Sequence, residues 1–89
     1  MFYVYVIQNE DHEIYIGSTN DLRKRFREHN AGKSYATRGY FWRLVYYEAY
    51  LSESDARERE QRLKHYGQAL RQLKDRKPYW NYGAKWSIM

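Results

Sequence analysis

The chain opens on an unbroken apolar and aromatic run, is interrupted by a polar turn, and only then settles into helical spacing. Phe2 to Gln8, rich in Tyr, Val and Ile, reads as a strand. Asn9-Glu10-Asp11-His12 supplies the turn, and Glu13 to Gly17 reads as a second strand, so a hairpin is predicted. Leu22, Phe26 and Asn30 then recur every four residues after Asn20, whose short amide can accept a bond from a free first-turn N–H. A helix over about Asp21 to Asn30 follows, with Gly32 placed where a left-handed residue closes many helices.

Lys33 to Tyr40 has no clean period and reads as a loop carrying Tyr35, Thr37 and Arg38. Trp42 to Tyr50 reads as a third strand, and the continuous apolar run Leu44-Val45-Tyr46-Tyr47 predicts a central position in the sheet. Ser52-Glu53-Ser54-Asp55 resembles a capping box and predicts a second helix from about Glu53 to His65. Its apolar stripe is thin: Ala56 and Leu63 are the clear core candidates, and Glu60 falls between them on the same face. A carboxylate there needs a reason. Gly67 breaks the pattern, Ala69, Leu70 and Leu73 give a short third helix ending before Pro78, and a tail with Trp80 and Trp86 completes the chain. The order strand, strand, helix, strand, helix, helix is an α+β layout: a small antiparallel sheet flanked by helices.

At 89 residues this is one domain with a modest core and no room for a separate recognition module. The absence of cysteine excludes disulfides and thiolate-ligated metal sites, and fits a reducing compartment. No apolar run approaches the ~18 residues of a membrane span, and the first residues lack signal-peptide character. A soluble, cytoplasmic protein with no membrane role is expected. Sixteen Lys and Arg against eleven Asp and Glu give a net charge of +5, as in proteins that meet phosphates. Aromatic residues make up 19% of the chain, and among the basic residues Tyr35, Tyr40 and Phe41 are candidates for stacking on bases.

Taken in order, these residues resemble the GIY-YIG nuclease superfamily over nearly the whole chain, most of all its small stand-alone members. The first motif stands as Tyr3-Val4-Tyr5, lacking its leading glycine, and the second is intact as Tyr15-Ile16-Gly17. Ser18 to Leu22, Arg25, His29-Asn30 and Gly32 match the family's first helix segment; Leu44 to Glu48 match its third strand; Ala56, Glu60 and Leu63-Lys64 match its metal-binding helix. The spacing of the whole set, rather than either tripeptide, carries the signal.

The resemblance implies a Mg²⁺- or Mn²⁺-dependent endonuclease acting on DNA, in repair or recombination, with specificity that is low, structure-directed, or borrowed from a recruiting protein partner. It makes Glu60 the metal ligand, and one carboxylate suffices for an ion that keeps several waters. The residues alone equally allow Glu60 an ion pair with an arginine such as Arg25. Arg25 and His29, four apart on one helix face, are assigned to the phosphate; His29 would donate to it, relay a proton, or simply close the helix. Tyr15 is the family's general base with Tyr5 close by, although a phenol of pKa ~10 needs help in that role and either hydroxyl would also suit a packed sheet. Gly17 would let backbone approach the substrate or end a strand. Thr37 and Arg38 would border the cleft, Lys64 would touch a phosphate or cap its helix, and Asn81 is the one candidate for a downstream active-site asparagine. The rival readings are a non-catalytic nucleic-acid-binding module on the same fold and a partner-binding domain with a basic surface.

Overall fold

The computed structural model describes residues 1–65 and 67–76. Strand β1 (Phe2–Asn9) leads into β2 (Ile14–Thr19), helix α1 (Leu22–Asn30), strand β3 (Trp42–Tyr50) and helices α2 (Glu53–His65) and α3 (Gly67–Arg76). The three strands form one antiparallel sheet in the order β2-β1-β3. The predicted α+β layout is the observed one. The tail beyond residue 76, with Trp80, Asn81 and Trp86, lies outside the described residues. No helix among the described residues is long and apolar enough to cross a membrane.

One expectation is corrected. The third strand lies at an edge, and β1 is the central strand. The apolar run of β3 reports that helices cover both faces of the sheet, which periodicity cannot distinguish from having strands on both sides. Successive β1 residues serve opposite cores. Val4 and Val6 pack with Ile16, Val45, Ala56, Leu63 and Leu73 beneath α2 and α3, while Tyr5 and Ile7 pack with Phe26 and Trp42 beneath α1. The thin stripe on α2 suffices because Ala56 and Leu63 are each only 1% exposed. A bulge between Val6 and Ile7 of the β1–β3 pairing lets β3 spend one extra residue, Val45, and twists the edge strand around its neighbour.

Local polar bonds fix the connections. The buried Asn9 side chain accepts the N–H groups of Asp11 and Glu13 at 3.0 and 2.9 Å, shaping the hairpin turn in which His12 sits at φ 64°. The cap of α1 is Asp21 rather than Asn20: its carboxylate accepts the Lys24 N–H at 3.1 Å. Gly32 adopts φ 75° after the last turn, where the left-handed backbone favours glycine. Asn30 then exchanges two bonds with the Trp42 backbone, at 2.9 and 2.6 Å, and so ties the end of α1 to the start of β3.

Candidate active site

Tyr5 stands on the central strand, only 1% exposed, with Gly17 directly opposite on β2. The Tyr5 ring lies across the Gly17 backbone: a Cβ at position 17 would come within 2.6 Å of Tyr5 Cζ and closer still to the hydroxyl. Gly17 is inside β2 and does not end it. The Tyr5 ring fills the space a Cβ would take, so the glycine here makes room for that side chain.

Beneath Tyr5 runs a buried chain of hydrogen bonds. The Tyr5 hydroxyl lies 2.7 Å from His29 Nε2, His29 Nδ1 lies 2.8 Å from Thr37 Oγ1, and Thr37 Oγ1 reaches the Ser34 carbonyl at 3.4 Å. A carbonyl only accepts, so the chain has one consistent direction: Thr37 donates to Ser34, His29 Nδ1–H donates to Thr37, and Tyr5 donates to the bare Nε2. A single 3₁₀ turn, Tyr35–Thr37, inside the expected loop brings Thr37 into place. The Trp42 indole N–H holds the same turn at the Thr37 carbonyl, 2.8 Å away. Burial pushes the Tyr5 hydroxyl up to about 12, with the neighbouring Arg25 opposing and Tyr15 adding to the shift. Burial also lowers His29 to about 4, aided by the Arg25 cation and opposed by Glu28. Both groups are therefore neutral near pH 7, as the bond direction requires.

Two expectations change here. His29 is fully buried behind the rings of Tyr5 and Tyr15, which line the cleft. Thr37, placed by the sequence at the cleft border, is also fully buried and serves His29 instead.

Arg25 comes from α1 one turn before His29. Its guanidinium meets Glu28 at 3.4 Å. Burial disfavours its charge, but its hydrogen bond to Tyr5 and the nearby Glu28 outweigh this and raise it above the ordinary arginine value. From the opposite layer, α2 brings Glu60 around the open edge of β2. Its carboxylate accepts from Ser18 Oγ at 2.5 Å and from Lys64 Nζ at 2.6 Å, with the side chain 14% exposed. Glu60 is thus paired with a lysine of its own helix rather than with Arg25. Tyr15 lies on β2, its ring 6.5 Å from Tyr5 and 4.9 Å from His29, with Lys64 Nζ 5.7 Å from the ring centre.

These groups line a cleft of about 330 Å³ bounded by Tyr5, Tyr15, Gly17, Arg25 and Glu60. Ser18, Arg57 and Gln61 complete its wall. The last three were not singled out as chemistry in the sequence, though two were within reach of simple spacing: Arg57 precedes Glu60 by one helical turn, and Gln61 follows Arg57 by four. Ser18 points to the α2 side because it alternates with Gly17. Lys64 stands behind Glu60, while Arg38 is exposed over the Tyr35 ring at 5.5 Å, outside the cleft lining. Tyr35, Tyr40 and Phe41 are exposed on the same distant loop, Tyr40 set edge-on against Trp42.

The donor set fits a hard divalent cation. Glu60 offers one carboxylate in an open, polar cleft, and no cluster of three or more acidic, histidine or cysteine side chains gathers among the described residues. A single carboxylate fits an ion that retains most of its waters and takes one protein oxygen.

Residues 1–74 match the family described as GIY-YIG catalytic domain. The chain is 39% identical to the UPF0213 protein of Haloquadratum walsbyi over 72 residues, covering 79% of this chain and 81% of that one. It is 35% identical to the UPF0213 protein of Staphylococcus haemolyticus over 78 residues, covering 83% and 95%. Its fold is similar to the solution NMR structure of the UPF0213 protein from Bacillus halodurans, with TM-score 0.55, 32% identity, and 91% and 93% of the two chains covered. With the two tyrosine tripeptides on adjacent strands, joined where Tyr5 pairs with Gly17, and the helix-borne arginine and glutamate meeting over them, the chain belongs to the GIY-YIG catalytic domain family, a family of nucleases that use divalent metals and act on nucleic acids.

Proposed function

We propose that the protein is a Mg²⁺- or Mn²⁺-dependent endonuclease that hydrolyses DNA phosphodiester bonds. The observation that carries this reading is the meeting of Tyr5, Tyr15, Arg25 and Glu60 in one cleft from both faces of the sheet. Glu60 would hold the cation, which supplies Lewis acidity and positive charge at the phosphate when bound. Arg25 donates to the non-bridging oxygens, where its planar fork matches the charge that grows in the transition state. Tyr5 keeps its proton, and its O–H donates a hydrogen bond to His29 Nε2. Tyr15 is then the phenol left to orient the attacking water, whose proton passes to solvent while the leaving oxygen takes a proton from solvent. His29 and Thr37 position Tyr5. A structure-directed role in repair or recombination, aided by a recruiting partner, is the finer part of the proposal. So is a cytoplasmic setting, supported by the cysteine-free sequence.

A second reading is favoured by one contact. Lys64 neutralises Glu60 at 2.6 Å, which would leave a binding module on the same fold if the lysine keeps that place. The two readings separate when wild type and Glu60→Ala are incubated with labelled single-stranded, duplex and branched DNA and with RNA, in Mg²⁺, Mn²⁺ or EDTA. The nuclease reading expects metal-dependent cleavage that falls at least ~100-fold in the variant. Binding without cleavage on every substrate establishes the module instead.

A further inference from the structure

A second cleft, of about 650 Å³, opens on the α1 face beside the first. Its floor is Leu22, Phe26 and Leu44, and its walls include Tyr3 and Tyr47, whose rings meet edge to face with centroids 6.1 Å apart. Tyr47 is 54% exposed, and its ring stands open to solvent at the cleft wall. Arg23 and Arg27, four apart on α1, stand at the rim. Neither makes an ion pair among the described residues, whereas Arg25 between them pairs with Glu28, and Arg57, Arg59 and Arg62 each hold a carboxylate. Asp21, also at the rim, spends one oxygen on the cap of α1.

An apolar floor with aromatic walls and unpaired cations above it is the chemistry of a flat, partly polar ring attached to an anion. Tyr3 and Tyr5 lie on one face of β1 two residues apart, ~7 Å along the strand, which is about two stacked base steps. A paired base offers proteins only its groove edge, so its ring face cannot enter such a cleft. We propose that the Tyr3–Tyr47 cleft holds an unpaired nucleobase of the bound strand, with Arg23 and Arg27 on the flanking phosphates. It thereby selects single-stranded substrates, or junctions with an unpaired nucleotide within one or two of the cut. The distance to the cut rests on the nuclease reading above; the binding itself does not.

The test measures fluorescence anisotropy of labelled eight-residue oligothymidylate, and of a hairpin duplex, in EDTA so that no strand is cut. Tyr47→Ala, on an exposed side chain that supports no core, weakens oligothymidylate binding roughly tenfold and leaves the duplex within about twofold, while Tyr47→Trp retains stacking and binding. Replacing Arg23 and Arg27 together by alanine lowers the slope of log affinity against log salt by ~1.4 for the single strand. A change under about twofold in Tyr47→Ala, or an equal loss on the duplex, overturns the proposal. Cleavage by wild type with Tyr47-independent binding removes this cleft alone; Tyr47-dependent binding with no cleavage under any metal removes the nuclease reading alone.

Discussion

Gly17 carries no side chain because the ring of Tyr5 occupies the space one would need. Gly17→Ala is therefore expected to shift Tyr5 off His29 and to destabilise the protein by ~1–3 kcal/mol, read from thermal unfolding. Adding Tyr5→Phe will not relieve it, because the ring carbon Cζ is also in the way. The sequence motif marked this glycine, but its purpose was not legible there: spacing along one strand does not reveal which residue lies across from it. The same limit hid Thr37, whose partner is eight residues away through a turn with no period. His29 gives a pH prediction. Its folded value, about 4, lies below the ordinary 6.5, so the unfolded chain binds the proton first as pH falls. The sign is loss of stability on acidification from pH ~6.5 to ~4, reaching about 3 kcal/mol. Denaturant titrations across that window should show the slope in wild type and lack it in His29→Gln.

At the scale of elements, α2 is bound to the edge strand by one carboxylate. Glu48 on β3 accepts from Tyr46 and Tyr50 at 2.6 and 2.7 Å and receives Arg59 of α2 through two bonds at 2.9 and 3.2 Å. Burial raises the Glu48 carboxyl, but these bonds outweigh it and hold it below its ordinary value, while burial and Glu48 push both tyrosines up to about 12. Glu48→Gln should cost ~2 kcal/mol at pH 7, far more than loss of the exposed Arg62–Glu58 pair on the same helix. Because Glu48 is depressed, its contribution is present above pH ~4.5 and lost as pH falls through its folded value. Urea unfolding of wild type and variant should therefore converge in acid. The bounds of α2 were legible because capping and termination are local. The place of β3 in the sheet was not, because an apolar run records burial and is silent on which backbone groups are paired.

At the scale of the whole molecule, the site is a product of layering. Helix α1 lies on one face of the sheet and supplies Arg25 and His29; helix α2 lies on the other and supplies Glu60 past the free edge of β2. The sequence ordered these residues correctly along the chain, yet the partners that set their chemistry, Ser18 and Lys64 for Glu60 and Thr37 for His29, depend on how the layers close. The two halves of the site also differ in what they contribute to the fold. Tyr5, Gly17 and His29 are built into the packing beneath α1, so changing them disturbs the domain itself. Glu60 touches its surroundings through two polar bonds at the rim, and replacing it removes no core. On the proposed reading of Glu60 as the cation ligand, a lineage can therefore surrender the chemical step by a single change at position 60 while inheriting the fold, the buried tyrosine and the arginine-lined surface intact.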